Sequence, residues 1–263
     1  MASTSKSFQF GNYSFDNFTS FLEKSFTLNG WLPFKKRTDS KCKLVYFWAS
    51  NIICIITLMQ GMIYFMQNFI LKSGSLLELT NLAPCMGFVM LALMKTYVVV
   101  YRNQETFTEI IETLGKLFPK SMQEQEQYNV GKVFNQQKAL NIFFSAIYIT
   151  VFVIFNLMPI FISIQNYYID GIIQKEFPYM MWHPFDPYQP VVFEFCYILV
   201  IWAAFTCDMA VLSTDLLYSN VLTLLCMQFD ILKHDLEHLN AENCNECVIE
   251  LKKKVLLHLE LIQ

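Results

Sequence analysis

Charge is what this 263-residue chain has least of. Lys, Arg, Asp and Glu make up 16% of it against 54% for hydrophobic residues, where a soluble chain carries about 25% charged residues. That deficit argues against a soluble enzyme or binding domain. The net charge of −3 offers no basic surface that would point to nucleic acid. Glycine is scarce as well, 8 against 25 Phe, and there is no low-complexity linker or internal repeat. The opening MASTSKSFQFGNYSFDNF has no apolar core, so it does not read as a cleavable signal peptide. Eight cysteines in a chain this long do not make a disulfide scaffold. Cys54, Cys85, Cys196, Cys207 and Cys226 sit inside apolar runs, where Cys behaves as a small hydrophobe.

The chain is instead rich in long apolar runs. Residues 44–71 and 139–169 contain no Lys, Arg, Asp or Glu, and a spanning helix needs about 20 such residues. Residues 79–101 carry only Lys95, and 191–229 carry Glu194, Asp208 and Asp215. Four transmembrane helices are therefore expected, in an all-α polytopic bundle. The fourth run would extend ~58 Å as a helix, so about half of it must project beyond the bilayer.

Orientation follows from the basic residues that flank the runs. Lys6, Lys24, Lys35, Lys36, Arg37, Lys41 and Lys43 precede the first; Arg102, Lys116, Lys120, Lys132 and Lys138 lie between the second and third. Lys233, Lys252, Lys253 and Lys254 follow the fourth, whereas the other two loops hold only Lys72 and Lys175. The alternation predicts that 1–43, 102–138 and 230–263 are cytoplasmic and that 170–190 is extracellular. On that topology the sequons at Asn12 and Asn17 stay unglycosylated. Apolar residues at helical spacing from Phe107 to Phe118 extend span two as an amphipathic helix. Val248, Leu251, Val255, Leu256, Leu259 and Ile262 repeat the pattern. The chain stops inside this second pattern, which reads as a fragment of a longer product.

Two motifs look catalytic or metal-binding. His234, Glu237 and His238 spell H-x-x-E-H, the order of one class of zinc proteases. They follow directly from an apolar span, and no acidic third ligand is identifiable, so an exposed helix is the better reading. Cys244 and Cys247 have C-x-x-C spacing in a segment expected to face the reducing cytoplasm. The four histidines, His183, His234, His238 and His258, fall on both sides of the membrane. No catalytic residue, metal or cofactor is expected. A four-span enzyme or transporter remains an alternative, although a transporter should show repeat symmetry.

Charges inside a span are costly and are usually paired or functional. Lys95 lies 16 residues beyond Leu79, and Asp208 lies 14 beyond Glu194, so both sit ~21 to 24 Å below the outer surface. A Lys95–Asp208 pair is the expectation, with Asp215 deeper, at the inner interface.

Several local sequences together resemble the N-terminal part of an insect odorant receptor. The span-four tail STDLLYSNVLTLLCMQFDILKHDLEHL is similar to that family's most recurrent segment, with Asp215, Cys226, Gln228, Phe229, Leu232 and Leu236 at the matching positions. MWHPFDPYQP before span four resembles its aromatic-Pro-Phe-Asp loop, and Gly30-Trp31-Leu32-Pro33 its entry to span one. Lys95 and Arg102 match the basic pair that ends span two. The resemblance implies seven spans in the whole protein and an inside N-terminus. It also implies assembly with an obligate co-receptor into a tetrameric, ligand-gated, nonselective cation channel in the plasma membrane of olfactory neuron dendrites. A gustatory receptor of the same superfamily is the nearest alternative.

A volatile apolar ligand would need an apolar cavity with a few polar groups. The expected walls are Cys85, Phe88 and Val89 on span two and Tyr148, Phe152, Phe155 and Met158 on span three. Phe195, Leu199 and Trp202 would complete them from span four. Pro159, near the outer end of span three, frees a carbonyl that could help shape the cavity.

Overall fold

The structure is a computed structural model that describes residues 13–30, 41–71, 76–171, 175–237 and 252. Among the described residues every regular element is helical: α1 (Phe15–Leu28), α2 (Lys41–Leu71), α3 (Leu76–Thr96), α4 (Gln104–Leu117), α5 (Met122–Gln127), α6 (Val130–Asp170) and α7 (Val192–Glu237). A π-helical turn, Tyr97–Arg102, joins α3 to α4. Among the described residues four helices are long and apolar enough to cross a membrane: α2, α3 with its π turn, α6 and α7. A backbone surrounded by lipid must satisfy its own hydrogen bonds, and a continuous helix does so. The same ladder carries the helices past the charge-free runs. α6 begins at Val130 rather than at residue 139, and α7 continues to Glu237. With 46 residues, α7 is ~69 Å long, over twice the thickness of a hydrocarbon core.

Local chemistry sets the helix ends. α1 closes with the amides of Asn29 and Gly30 on the carbonyls of Phe26 and Thr27, both at 3.0 Å. Gly30 has φ +79°, the left-handed conformation that favours glycine at this position. α5 opens with a capping box: Ser121 Oγ accepts from the Glu124 amide at 3.2 Å, and the Glu124 carboxylate accepts from the Ser121 amide at 3.3 Å. Val191, the residue before α7, has φ +71°, an unusual cost for a β-branched side chain.

The fold divides into two compact units. The first combines residues up to Leu22, Glu109–Asn141 and Leu217 onward; the second combines Glu23–Thr108 and Ile142–Leu216. The first has a large-residue core of Phe18, Leu114, Phe118, Val130, Leu224 and Met227. The ring of Phe18 packs edge-on against Phe118 and Phe134, at centroid distances of 5.4 and 5.0 Å. Phe18 is 2% exposed, a burial worth about 2–3 kcal/mol against water. Gln125 ties the chain start to this core. Its Oε1 accepts from the Tyr13 amide at 3.0 Å, and its Nε2 donates to the carbonyls of Tyr13 and Pro119 at 2.8 and 3.0 Å.

The second unit, which holds the apolar middle of each candidate span, packs differently. Its buried cluster consists of small residues: Cys54 on α2, Ala92 on α3, and Ala203, Cys207, Ala210 and Val211 on α7. Between helices in lipid the hydrophobic effect gives little drive, and short side chains gain van der Waals contact by letting backbones approach. The Sγ atoms of Cys54 and Cys207 are 3.7 Å apart, and Cys54 also reaches the Ala203 carbonyl at 3.6 Å.

His238, Cys244, Cys247, His258, Asn12, Trp31–Pro33 and the pattern at 248–262 lie outside the described residues.

Candidate functional site

Small residues also decide where the second unit leaves space. A cavity of about 230 Å³ lies among α2, α3, α6 and α7. From α7 it is lined by Val200, Ala203, Ala204, Cys207 and Asp208, positions that share one helical face by their three- and four-residue spacing. α3 presents Cys85, Phe88 and Val89, and α6 presents Phe152, Phe155 and Asn156. α2 contributes Thr57 and Gly61, where a side chain is short or absent. The loop before α7 completes the wall with Tyr179 and Met181.

That loop is fastened over the spans. The amide of Trp182 donates to the Gln60 carbonyl on α2 at 3.3 Å, and the Tyr64 hydroxyl meets Met180 Sδ at 3.4 Å. Phe177 stacks against Phe193 at 4.7 Å and against His183 at 5.5 Å. Burial lowers the pKa of the His183 imidazole, so the ring is held neutral. Burial likewise pushes the Tyr179 phenol up.

The polar groups at the cavity are few. Thr57 donates to the Ile53 carbonyl of its own helix at 2.8 Å. Asn156, 1% exposed, donates through Nδ2 to the Phe152 carbonyl at 3.0 Å. Its backbone carbonyl accepts from the Tyr197 hydroxyl at 2.8 Å. Asp208 is 4% exposed.

Five of the ten expected wall residues, Cys85, Phe88, Val89, Phe152 and Phe155, line this cavity. The other five do not. Met158 and Phe195 are 53% and 63% exposed, away from this cavity. Trp202, 37% exposed, turns its indole to Ser50, with Nε1 donating to Oγ at 3.0 Å. Leu199 is half-buried one position away from Val200 on the lining face. Tyr148 donates its hydroxyl to Asp215 Oδ2 at 2.7 Å. The expectation for α7 followed its bulky side chains, whereas space opens where side chains are short. Gly61, Ala203 and Ala204 carried no signal of their own in the sequence. Nor did Asn156 and Tyr179.

The expected Lys95–Asp208 pair is corrected. Lys95 Nζ pairs with Asp215 Oδ1, two helical turns beyond Asp208. Depth counted from the chain's charges assumed equal tilt and register in α3 and α7, and packing sets both. Asp215 therefore receives two donors, Lys95 and Tyr148, from two different helices. Just past Lys95 the π turn is marked by the Asn103 amide reaching back five residues to the Val98 carbonyl at 3.0 Å. Its Val99 and Val100 are buried.

A wider, more open groove of about 650 Å³ runs beside Pro159, Tyr167, Phe193 and Tyr197. Lys175 crosses it, bonded to Glu194 at 3.1 Å and lying 4.9 Å over the Phe193 ring. In the first unit His234 packs edge-on against Tyr128 at 5.5 Å. Among the described residues no group of three His, Cys, Asp or Glu could hold a metal ion.

Four apolar spans around a small, mostly apolar cavity define a polytopic helical membrane protein with room for a small ligand. The sequence profile of the family described as 7tm odorant receptor matches residues 76–263, and the chain belongs to that family. It is 25% identical over 227 residues to Odorant receptor 85b of Drosophila melanogaster, covering 81% of this chain and 55% of the relative. It is 24% identical over 196 residues to Odorant receptor 67c of the same species, covering 73% and 48%. The chain thus spans about half the length of the curated relatives it matches. The solved structure of the insect olfactory receptor OR5 from Machilis hrabei superposes with a TM-score of 0.69 at 15% identity, over 94% of this chain and 66% of that one. The same receptor in complex with eugenol superposes with a TM-score of 0.65 at 16% identity, over 95% and 64%. These two comparisons establish a shared fold.

Proposed function

We propose that the chain is the ligand-recognising part of an insect odorant receptor. Its ligand is a small, volatile, mostly apolar molecule held in the cavity among α2, α3, α6 and α7. The observation that carries this reading is the cavity itself, about 230 Å³ with walls mainly of Phe, Val, Met, Ala and Cys. A cavity of about 150 Å³ accepts benzene, so this one suits a molecule of about ten non-hydrogen atoms. The relative solved with eugenol bound supports a ligand of this kind.

In the whole protein the chain assembles with an obligate co-receptor as a tetrameric, ligand-gated, nonselective cation channel of olfactory neuron dendrites. The basic residues before α2, between α3 and α6 and after α7 support a cytoplasmic N-terminus. The loop carrying Tyr179 and Met181 is then extracellular. Recognition needs no bond-making step: apolar contact supplies affinity, and the ligand acts by binding one receptor conformation better than another.

Saturable binding of eugenol to the chain in lipid nanodiscs, with empty nanodiscs as the blank, tests the reading. The wild type is expected to bind, and Ala203→Phe, which fills the cavity, is expected to abolish binding. No saturable binding by the wild type, or equal binding by the filled variant, would overturn it. Sequons engineered into 72–78 and 170–190 test orientation. These should be glycosylated while Asn12 and Asn17 stay bare.

A further inference from the structure

The cavity wall is apolar except at Thr57, Asn156, Tyr179 and Asp208. Asn156 Nδ2 is committed to the Phe152 carbonyl one turn back. That bond fixes which way the amide faces, because only the NH2 group can donate. The opposite atom, Oδ1, is buried and has no hydrogen-bond partner among the described residues. A buried amide oxygen left unpaired is expensive, and Asn156 is one of the residues that line the cavity. A second polar side chain on the wall is the carboxylate of Asp208. The lysine expected to neutralise it is bound to Asp215 instead. Thr57 spends its only hydrogen on Ile53. Tyr179 lies beside the Asn156 amide, at the loop side of the same wall.

We infer that the cavity selects ligands whose single polar group is a hydrogen-bond donor, a hydroxyl or an ammonium, which donates to Asn156 Oδ1. This inference rests on the odorant-receptor reading and narrows it to alcohols, phenols and amines. The apolar body of the ligand lies against Phe88, Phe152 and Phe155, and its donor turns toward Asn156 and Asp208. Hydrocarbons leave Oδ1 unpaired and bring no donor to Asp208. They fit the volume and lose the hydrogen bond. A site with a buried polar group built for a partner rejects the analogue that lacks it more strongly than an apolar pocket rejects a change of size.

The test is calorimetric titration of the nanodisc-embedded chain with three probes of nearly equal size: 2-phenylethanol, 2-phenylethylamine and propylbenzene. The alcohol, the amine or both should bind about 10- to 100-fold more tightly than the hydrocarbon, the discrimination expected of one buried hydrogen bond. Asn156→Leu should erase the preference for the alcohol while leaving propylbenzene binding within about 3-fold. Its Tyr197 contact is made by the backbone carbonyl and survives the substitution. Asp208→Asn separates the two donors: an ammonium loses its affinity and a hydroxyl keeps it. If propylbenzene binds as tightly as both donors, the inference fails while the cavity remains a ligand site. If none of the three binds saturably, the inference and the receptor reading fall together. The comparison among ligands on the wild-type chain decides the matter even if a variant fails to fold.

Discussion

Removing the Asp215 carboxylate should unsettle two helices at once. Lys95 and Tyr148 come from α3 and α6 and converge on opposite oxygens of this one group. Breaking a fully buried ion pair costs about 3–5 kcal/mol, and an exposed pair is worth at most about 1 kcal/mol. Here the side chains of Lys95 and Asp215 are 23% and 28% accessible, and a freed lysine can partly snorkel to the interface. Asp215→Ala is therefore expected to cost about 2 kcal/mol. Tyr148→Phe removes a hydrogen bond to a charged acceptor and should cost about 1 kcal/mol. Because both act through Asp215, the double variant should cost about 2 kcal/mol rather than 3, a coupling of about 1 kcal/mol. Thermal unfolding in detergent reads this as a fall of about 4–8 °C for Asp215→Ala. Lys95→Asp with Asp215→Lys should recover about half of that loss, whereas Lys95→Asp with Asp208→Lys should recover none. Strict additivity of the Tyr148 and Asp215 losses, or rescue through Asp208, would refute the pairing.

Gly30→Ala should destabilise by more than about 1 kcal/mol, since φ is +79° and a Cβ would stand 2.7 Å from the Tyr46 ring and 3.0 Å from the Lys43 carbonyl. A thermal scan that shows no loss would contradict the close approach of α1's end to α2. Tyr128 donates to Asp235 Oδ1 at 2.7 Å, and burial together with that carboxylate pushes its phenol up to about 12 from 10.0. A raised acid is a stabilising one below its unfolded value. Its contribution, about 1 kcal/mol after allowing for exposure, is complete below pH 10 and lost between 10 and about 12. Tyr128→Phe should abolish that part of the pH–stability curve and remove one tyrosinate absorbance transition near 12. His183 titrates the other way. Its pKa is lowered below 6.5 by burial, so its contribution is present above that pH and lost as acid protonates the ring. Thermal stability should accordingly fall on acidification below pH 6.5. In His183→Phe, which keeps an aromatic ring against Phe177 and Phe185, it should not.

The reading of the motifs shows where sequence information stops. Asp215 and Lys95 stood out as intramembrane charges, and both belong to the network that bridges the helices. Their pairing could not be counted off along the chain, because a two-turn difference in register lies within what tilt and packing can change. The amphipathic run from Phe107 to Phe118 reaches the structure as α4, with Ile111 and Leu114 buried on it and Phe118 buried just past its end. The loop MWHPFDPYQP was legible as a motif, but neither its first residue, Met181, nor the nearby Tyr179 gave any sign of entering the cavity.

What the sequence determined alone is the class of fold. Apolar runs in a chain poor in charge can pair their backbone groups in lipid only as helices, so four candidate spans follow from composition and length. Family membership followed too, since the span-four tail is a local string of residues. What only the tertiary structure decided is which faces of those helices meet and where they fail to meet. α7 turns Val200, Ala203, Ala204 and Cys207 toward the cavity rather than Phe195, Leu199 and Trp202. A 3.6-residue repeat reveals a buried face where water contrasts with core, and lipid removes that contrast. The cavity is the volume that short side chains leave unfilled, a property of the assembled helices and of no single one.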